Sequence, residues 1–194
     1  MRTTGANSAS GRPHLAVLTD FDDTAALQNV AELLLNRFGA PDWMDVRQRF
    51  RDGHINLKEY QEITFRDIQA DRATMQAYVK EHANLRPYFR ELWAFCQAND
   101  FPMAVVSQGL DFYIQALLDR EGVGRVPIYA VNTEFQNGKI SYQYEHNYPG
   151  NETDGNSKGF VVKSFQQLGC HVFFAGDGRS DLEAAQVADV VFAH

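Results

Sequence analysis

The stretch LAVLTDFDDTAAL, residues 15–27, constrains this chain more than any other. His14 to Thr19 form a short, nearly continuous apolar run, the pattern of a central parallel strand covered on both faces. Asp20, Asp22 and Asp23 then follow within four positions. Carboxylates so crowded repel, and burying each without a counter-charge costs on the order of several kcal/mol. Positive charge is therefore expected at the end of that strand.

Leu27, Val30, Leu34 and Phe38 recur at helical spacing and predict one amphipathic helix, stopped by Gly39 and Pro41. From about 41 to 86 no strand-like run occurs. DWMDVRQRFRDG ends on Gly53, NLKEYQEITFRDI opens with Asn56 and Glu59 in capping-box positions, and DRATMQAYVKEH reads as a further short helix. Residues 25–82 thus read as an all-helical insert between the two parts of a core, 14–24 and 83–194, behind a loose tail, 1–13. Past Pro87, helices alternate with the apolar runs MAVVS (103–107), IYAVN (128–132), HVFFAG (171–176) and DVVFA (189–193). That alternation predicts an α/β fold, a three-layer Rossmann-like core with a parallel sheet. Asn137-Gly138 between alternating runs predicts a two-residue β-hairpin.

A chain of 194 residues has room for one sizeable core and a small insert. The net charge of −7 argues against a nucleic-acid partner, because phosphate backbones are bound through clustered Lys and Arg. Cys96 and Cys170 lack metal-finger spacing and read as buried thiols. With no signal-like or membrane-length apolar stretch, the expectation is a cytoplasmic protein without a membrane partner, as monomer or homodimer.

Ligands of open parallel sheets bind at the carboxyl ends of the strands. The residues there are Asp20, Asp22 and Thr24 after the first run, Ser107 and Gly109 after the second, and Asp177 and Asp181 after HVFFAG; Lys158 opens the helix before that run. Together they suit phosphoryl transfer. Asp20 can attack phosphorus and carry it as an acyl phosphate, while Asp22, on the same side of an extended segment, can protonate the leaving oxygen and later activate water. Mg²⁺ favours carboxylate oxygens, and Asp20 and Asp177 supply them, with Asp181 joining directly or through water and Asp22 counted in the same set. That cation, helped by Lys158, is the missing positive charge. Thr24, Ser107, Gln108, Gly109 and Lys158 are the candidate phosphate binders.

Each piece alone has a bland reading: D-x-D-x-T is a common turn, and GDGRSD a turn with a helix cap. The weight comes from their joint occurrence, in order, at separately inferred strand ends. An EF-hand starting at Asp20 is excluded by Ala25 and Ala31, which stand where its Gly and Glu belong. The expected activity is hydrolysis of a small phosphate ester. A phosphotransferase, a phosphorylation-receiver module and a non-catalytic phosphate-binding module are the rival readings.

DFDDT, VVSQG, NSKG and GDGRSD resemble the four signature motifs of the haloacid dehalogenase superfamily of Mg²⁺-dependent phosphohydrolases, and the resemblance spans 15–194. It implies the same roles: Asp20 as nucleophile, Asp22 as acid/base, Ser107 and Lys158 on the phosphate, Asp177 and Asp181 at the metal. The helical insert resembles the small cap of the phosphoserine-phosphatase-like branch. LRPYFRELWAFC, SQGLDFYI and ADVVFA are most similar to the 2-hydroxy-3-keto-5-methylthiopentenyl-1-phosphate phosphatases.

Three departures stand out. Gln28 occupies the place of a cap-proximal Glu that reads the amino group in phosphoserine phosphatases. SQG replaces SGG, bringing the Gln108 amide near the phosphate. The family pattern also continues through another helix and strand beyond DVVFA, so the sequence belongs to a short member or is truncated. On the substrate side, Gln28 is joined by Arg47 and Arg51, which share a helical face that is either solvated or reaches into the cleft to grip an anionic group.

Overall fold

In the computed structural model, residues 14–150 and 155–193 are described; the expected tail, 1–13, lies outside them. The apolar run after Pro13 forms β1 (His14–Thr19), flanked on one side by β2 (Met103–Leu110) and on the other by β5 (Cys170–Gly176), both parallel to it. Beyond β2 lie β3 (Ile128–Gln136) and β4 (Lys139–Gln143); beyond β5 lies β6 (Val190–Ala193), giving the order β4-β3-β2-β1-β5-β6. Five strands run parallel. β4 is the antiparallel exception, turned back at Asn137 and Gly138, whose φ of 51° and 73° are those of the hairpin turn expected from that dipeptide.

Helices cover both faces, because alternate side chains of each strand point opposite ways. Ala16 and Leu18 of β1, with Ala104 and Val106 of β2, pack under α7 (Lys158–Gln167) and α8 (Leu182–Val187). Val17, Met103 and Val105 face the other way, toward α5 (Phe89–Ala98) and α6 (Asp111–Arg120). The result is the expected three-layer α/β arrangement.

Between β1 and α5 run four helices: α1 (Val30–Phe38), α2 (Trp43–Arg51), α3 (Leu57–Arg66) and α4 (Arg72–His82). Asn56 and Glu59 exchange side-chain and backbone bonds at the start of α3, the capping box read from the sequence. One expectation fails: Leu27 is not in α1. Asn29 caps that helix by accepting from Glu32 N, and Leu27 instead pairs its amide with the Asn84 carbonyl at 2.8 Å and is exposed. Ala26 bridges to Leu85 beside it, so the entering and leaving strands of the helical segment form one narrow antiparallel stem.

Two irregularities aim the strand ends. The register between β2 and β3 shifts between Val106 and Leu110, so Ser107, Gln108 and Gly109 bulge out of the ladder. After β1, Phe21–Ala25 make one wide turn, closed by Ala25 N to Asp20 O at 3.3 Å and Ala26 N to Phe21 O at 2.8 Å, with Asp23 at φ 60°.

Candidate active site

Register brings the acids together. Thr19 pairs with Ala175, so Asp20 and Asp177 leave neighbouring strands within one residue of the same level. One carboxylate oxygen from each of Asp20, Asp177 and Asp181 lies within 4.8 Å of the others. Asp20 and Asp181 are buried, whereas Asp177 is exposed. Lys158, 2% exposed, sits between the two buried acids: its Nζ is 2.6 Å from Asp20 Oδ1 and 2.6 Å from Asp181 Oδ1. The counter-charge demanded by the aspartates thus comes in part from a helix 138 positions downstream of Asp20.

Asp181 is held rigidly, with Oδ2 accepting from Asp177 N at 3.1 Å and Gly178 N at 2.9 Å. Gly176 permits this closeness, since a Cβ there would lie 2.5 Å from Asp181 Cγ. Burial pushes the Asp20 carboxyl up to about 6; the Lys158 ammonium opposes that shift and the Asp181 charge adds to it. Lys158 is raised in turn by the two carboxylates despite its burial.

Asp22, expected among the metal acids, lies outside the gathered group of three. Its Oδ1 accepts from Val30 N at the start of α1 (2.7 Å) and its Oδ2 from the Tyr113 hydroxyl on α6 (3.1 Å). Burial, followed by the charge of Asp20, raises this carboxyl to about 7, where a group can both give and take a proton near neutrality. The structure therefore divides the acids into a cluster of three that could hold a cation and one carboxyl, Asp22, hydrogen-bonded outside it.

Other expected site residues divide similarly. Thr24, read as a phosphate binder, spends its hydroxyl on Asp177 Oδ1 at 2.9 Å and so orients an acid of the cluster. Ser107 is buried and its Oγ accepts from Gly109 N at 2.9 Å, which leaves the hydroxyl hydrogen to donate. The Gln108 side chain turns away to donate to the Asn156 carbonyl at 3.1 Å, while its own carbonyl accepts from Gln61 of α3 at 2.5 Å. Gly109 passes against Tyr113, where an added Cβ would lie 1.9 Å from the phenol oxygen.

Gln28 accepts from Asn84 N at 2.9 Å and so ties the stem. Arg47 is paired with Glu32, and Arg51 is exposed. Three residues that sequence reasoning passed over help build the site. Arg86 donates to the carbonyls of Thr24 (2.7 Å) and Asp23 (2.8 Å), fixing the wide turn. Tyr113 anchors Asp22, and Gln61 joins the helical segment to the 107–109 bulge. Tyr113 lies in SQGLDFYI and Arg86 in LRPYFRELWAFC, but nothing in those runs marks the partners they reach.

The model of the haloacid dehalogenase-like hydrolase family matches residues 17–186. The chain belongs to that family. This hydrolase is 28% identical over 185 residues to the 2-hydroxy-3-keto-5-methylthiopentenyl-1-phosphate phosphatase of Exiguobacterium sibiricum, covering 92% of the chain and 83% of the relative. It is 25% identical over 181 residues to the protein of the same name from Bacillus velezensis, covering 91% and 76%. Among solved structures, a phosphoserine phosphatase carrying an analogue of a phospho-aspartyl intermediate superposes with a TM-score of 0.68 at 15% identity, over 94% of this chain and 87% of that one. The phosphoserine phosphatase of T. onnurineus gives 0.67 at 16% identity, over 95% and 86%. These likenesses establish the hydrolase's fold. None of its helices among the described residues is long and apolar enough to cross a membrane.

Proposed function

We propose that this hydrolase is a Mg²⁺-dependent phosphomonoesterase that acts on a small phosphorylated metabolite through an aspartyl-phosphate on Asp20. The observation that carries the reading is the gathering of Asp20, Asp177 and Asp181 around one point, with Lys158 bridging two of them. Three hard carboxylate oxygens within 4.8 Å suit a hard divalent cation. Bound there, Mg²⁺ would neutralise phosphoryl charge and supply Lewis acidity.

The chain's own residues would do the rest. Asp20 attacks phosphorus, and Lys158, Ser107 Oγ–H and the backbone amides of the bulge hold the phosphoryl oxygens. Asp22 gives its proton to the leaving oxygen, then takes one from the water that hydrolyses the acyl phosphate. Thr24 orients Asp177. Helices α1–α4 act as a cap, joined to the core by Gln61 to Gln108 O and by Gln76 to Phe112 O at 2.9 Å. Closing such a cap excludes bulk water and favours small substrates.

The named activity of the relatives makes 2-hydroxy-3-keto-5-methylthiopentenyl-1-phosphate the first substrate to try, ahead of phosphoserine. A panel of phosphorylated metabolites assayed with and without Mg²⁺ tests this reading. Release of phosphate that depends on Mg²⁺ and disappears in Asp20→Asn is expected; turnover indifferent to the cation, or undiminished in Asp20→Asn, overturns it.

A further inference from the structure

We propose that Tyr113 is the positioning residue for the acid/base carboxyl: its phenol, together with the Val30 amide, fixes Asp22 so that its proton faces the leaving oxygen of the substrate. This rests on the role given to Asp22 under Proposed function.

The geometry is a two-point clamp. Val30 N–H can only donate and takes one lone pair of Oδ1 at 2.7 Å; the Tyr113 hydroxyl takes one of Oδ2 at 3.1 Å. The phenol donates its hydrogen to Asp22. Two directions around the carboxyl are thus closed, one by α1 and one by α6. The acid proton is confined to the lone-pair directions that these donors leave open.

Tyr113 itself is fully buried and touches the Phe21 and Phe112 rings, so its hydroxyl has a single fixed position. Gly109 is the other half of the device, because any Cβ there would occupy the place of the phenol oxygen. The bulge that offers amides to the phosphoryl group and the tyrosine that orients the acid are consequently one rigid unit, linked over four residues.

The step balances simply. An Asp20 oxygen forms a bond to phosphorus and the bond from phosphorus to the leaving oxygen breaks. Its electron pair stays on that oxygen, which receives the Asp22 proton; Asp22 is left as carboxylate. In the second half a water oxygen attacks the phosphorus of the acyl phosphate, Asp20 departs as carboxylate, and the water's proton returns to Asp22. Tyr113 keeps its proton throughout.

Positioning an acid matters in proportion to how much the leaving group needs the proton. The test measures kcat/KM, which reports the steps up to leaving-group departure. Substituted phenyl phosphates and an alkyl phosphate serve as substrates of the parent enzyme, Tyr113→Phe and Asp22→Asn at saturating Mg²⁺. In Tyr113→Phe the expected loss is about 10–100-fold on the alkyl phosphate and less than about 3-fold on 2,4-dinitrophenyl phosphate, whose phenolate leaves unprotonated. The ratio between substrates within one variant is unaffected by the fraction of folded enzyme, so a merely structural role yields a uniform loss.

A uniform loss, or none, in Tyr113→Phe while Asp22→Asn shows the leaving-group dependence overturns the role of Tyr113 and leaves that of Asp22 standing. A leaving-group dependence in neither variant overturns both. If Tyr113→Phe fails to fold, Gly109→Ala, which displaces the phenol without removing it, is read in the same way: a steeper dependence is expected, and the parental one refutes the proposal.

Discussion

Asp22→Asn is expected to abolish most activity and at the same time stabilise the protein, by an amount that depends on pH in a defined way. The folded carboxyl is raised from 3.8 to about 7, chiefly by burial and then by the Asp20 charge. Between those values the unfolded chain has released its proton while the folded one still holds it. Stability is therefore lost as pH rises, starting near 4 and complete above about 7. Three pKa units correspond to about 4 kcal/mol at 1.36 kcal/mol per unit. Asp22 is partly exposed, and solvent screening brings the expectation to about 2–4 kcal/mol. Asparagine does not titrate; its Oδ1 can still accept from Val30 N, and its Nδ2 can donate to the Tyr113 oxygen, which reverses that bond.

The measurement is denaturant unfolding of parent and variant, in chelator, at pH 5, 6, 7 and 8. The variant's advantage should grow from pH 5 to 7 and then level off, reaching about 2–4 kcal/mol at pH 8. An equal difference at pH 5 and pH 8, or a variant less stable at pH 8, would refute the reasoning.

Removing the Lys158 ammonium in Lys158→Met leaves Asp20 and Asp181 facing each other in a buried site; chelated protein should lose about 3–5 kcal/mol at pH 8 and less at pH 5, where Asp20 is protonated, by urea denaturation. Thr24→Val deletes the bond to Asp177 and should raise the Mg²⁺ concentration for half-maximal activity about 10–100-fold, with a small effect on kcat at saturation. Asn56→Ala removes the α3 cap and should cost about 1 kcal/mol in thermal unfolding while leaving the Mg²⁺ dependence untouched.

Much of this fold was legible because its signals are local. β1 and β5 read directly as apolar runs, the α3 capping box as S/T/N-x-x-E chemistry, and the β3–β4 turn as Asn-Gly. Asp20 and Asp177 were legible for a related reason: each directly follows a strand, strands that end together place such residues together, and Asp181 comes only four residues later. Leu27 was misread because its helical spacing is real but the competing backbone pairing with Asn84 is not visible in sequence. Arg86, Gln61 and Tyr113 were missed since their partners lie 62, 47 and 91 residues away, and no local pattern marks such a contact.

The order of strands and helices, and the supply of acids at the strand ends, were determined by the sequence alone, through periodicities of two and 3.6 residues that every segment carries within itself. The tertiary structure alone decided how those acids are shared out: Asp20, Asp177 and Asp181 around one point with Lys158, and Asp22 apart between Val30 and Tyr113. That division depends on strand register and on the rotation of α1 and α6. Electrostatic coupling and hydrogen bonding change over one or two ångströms, a scale on which only packing between distant segments sets positions.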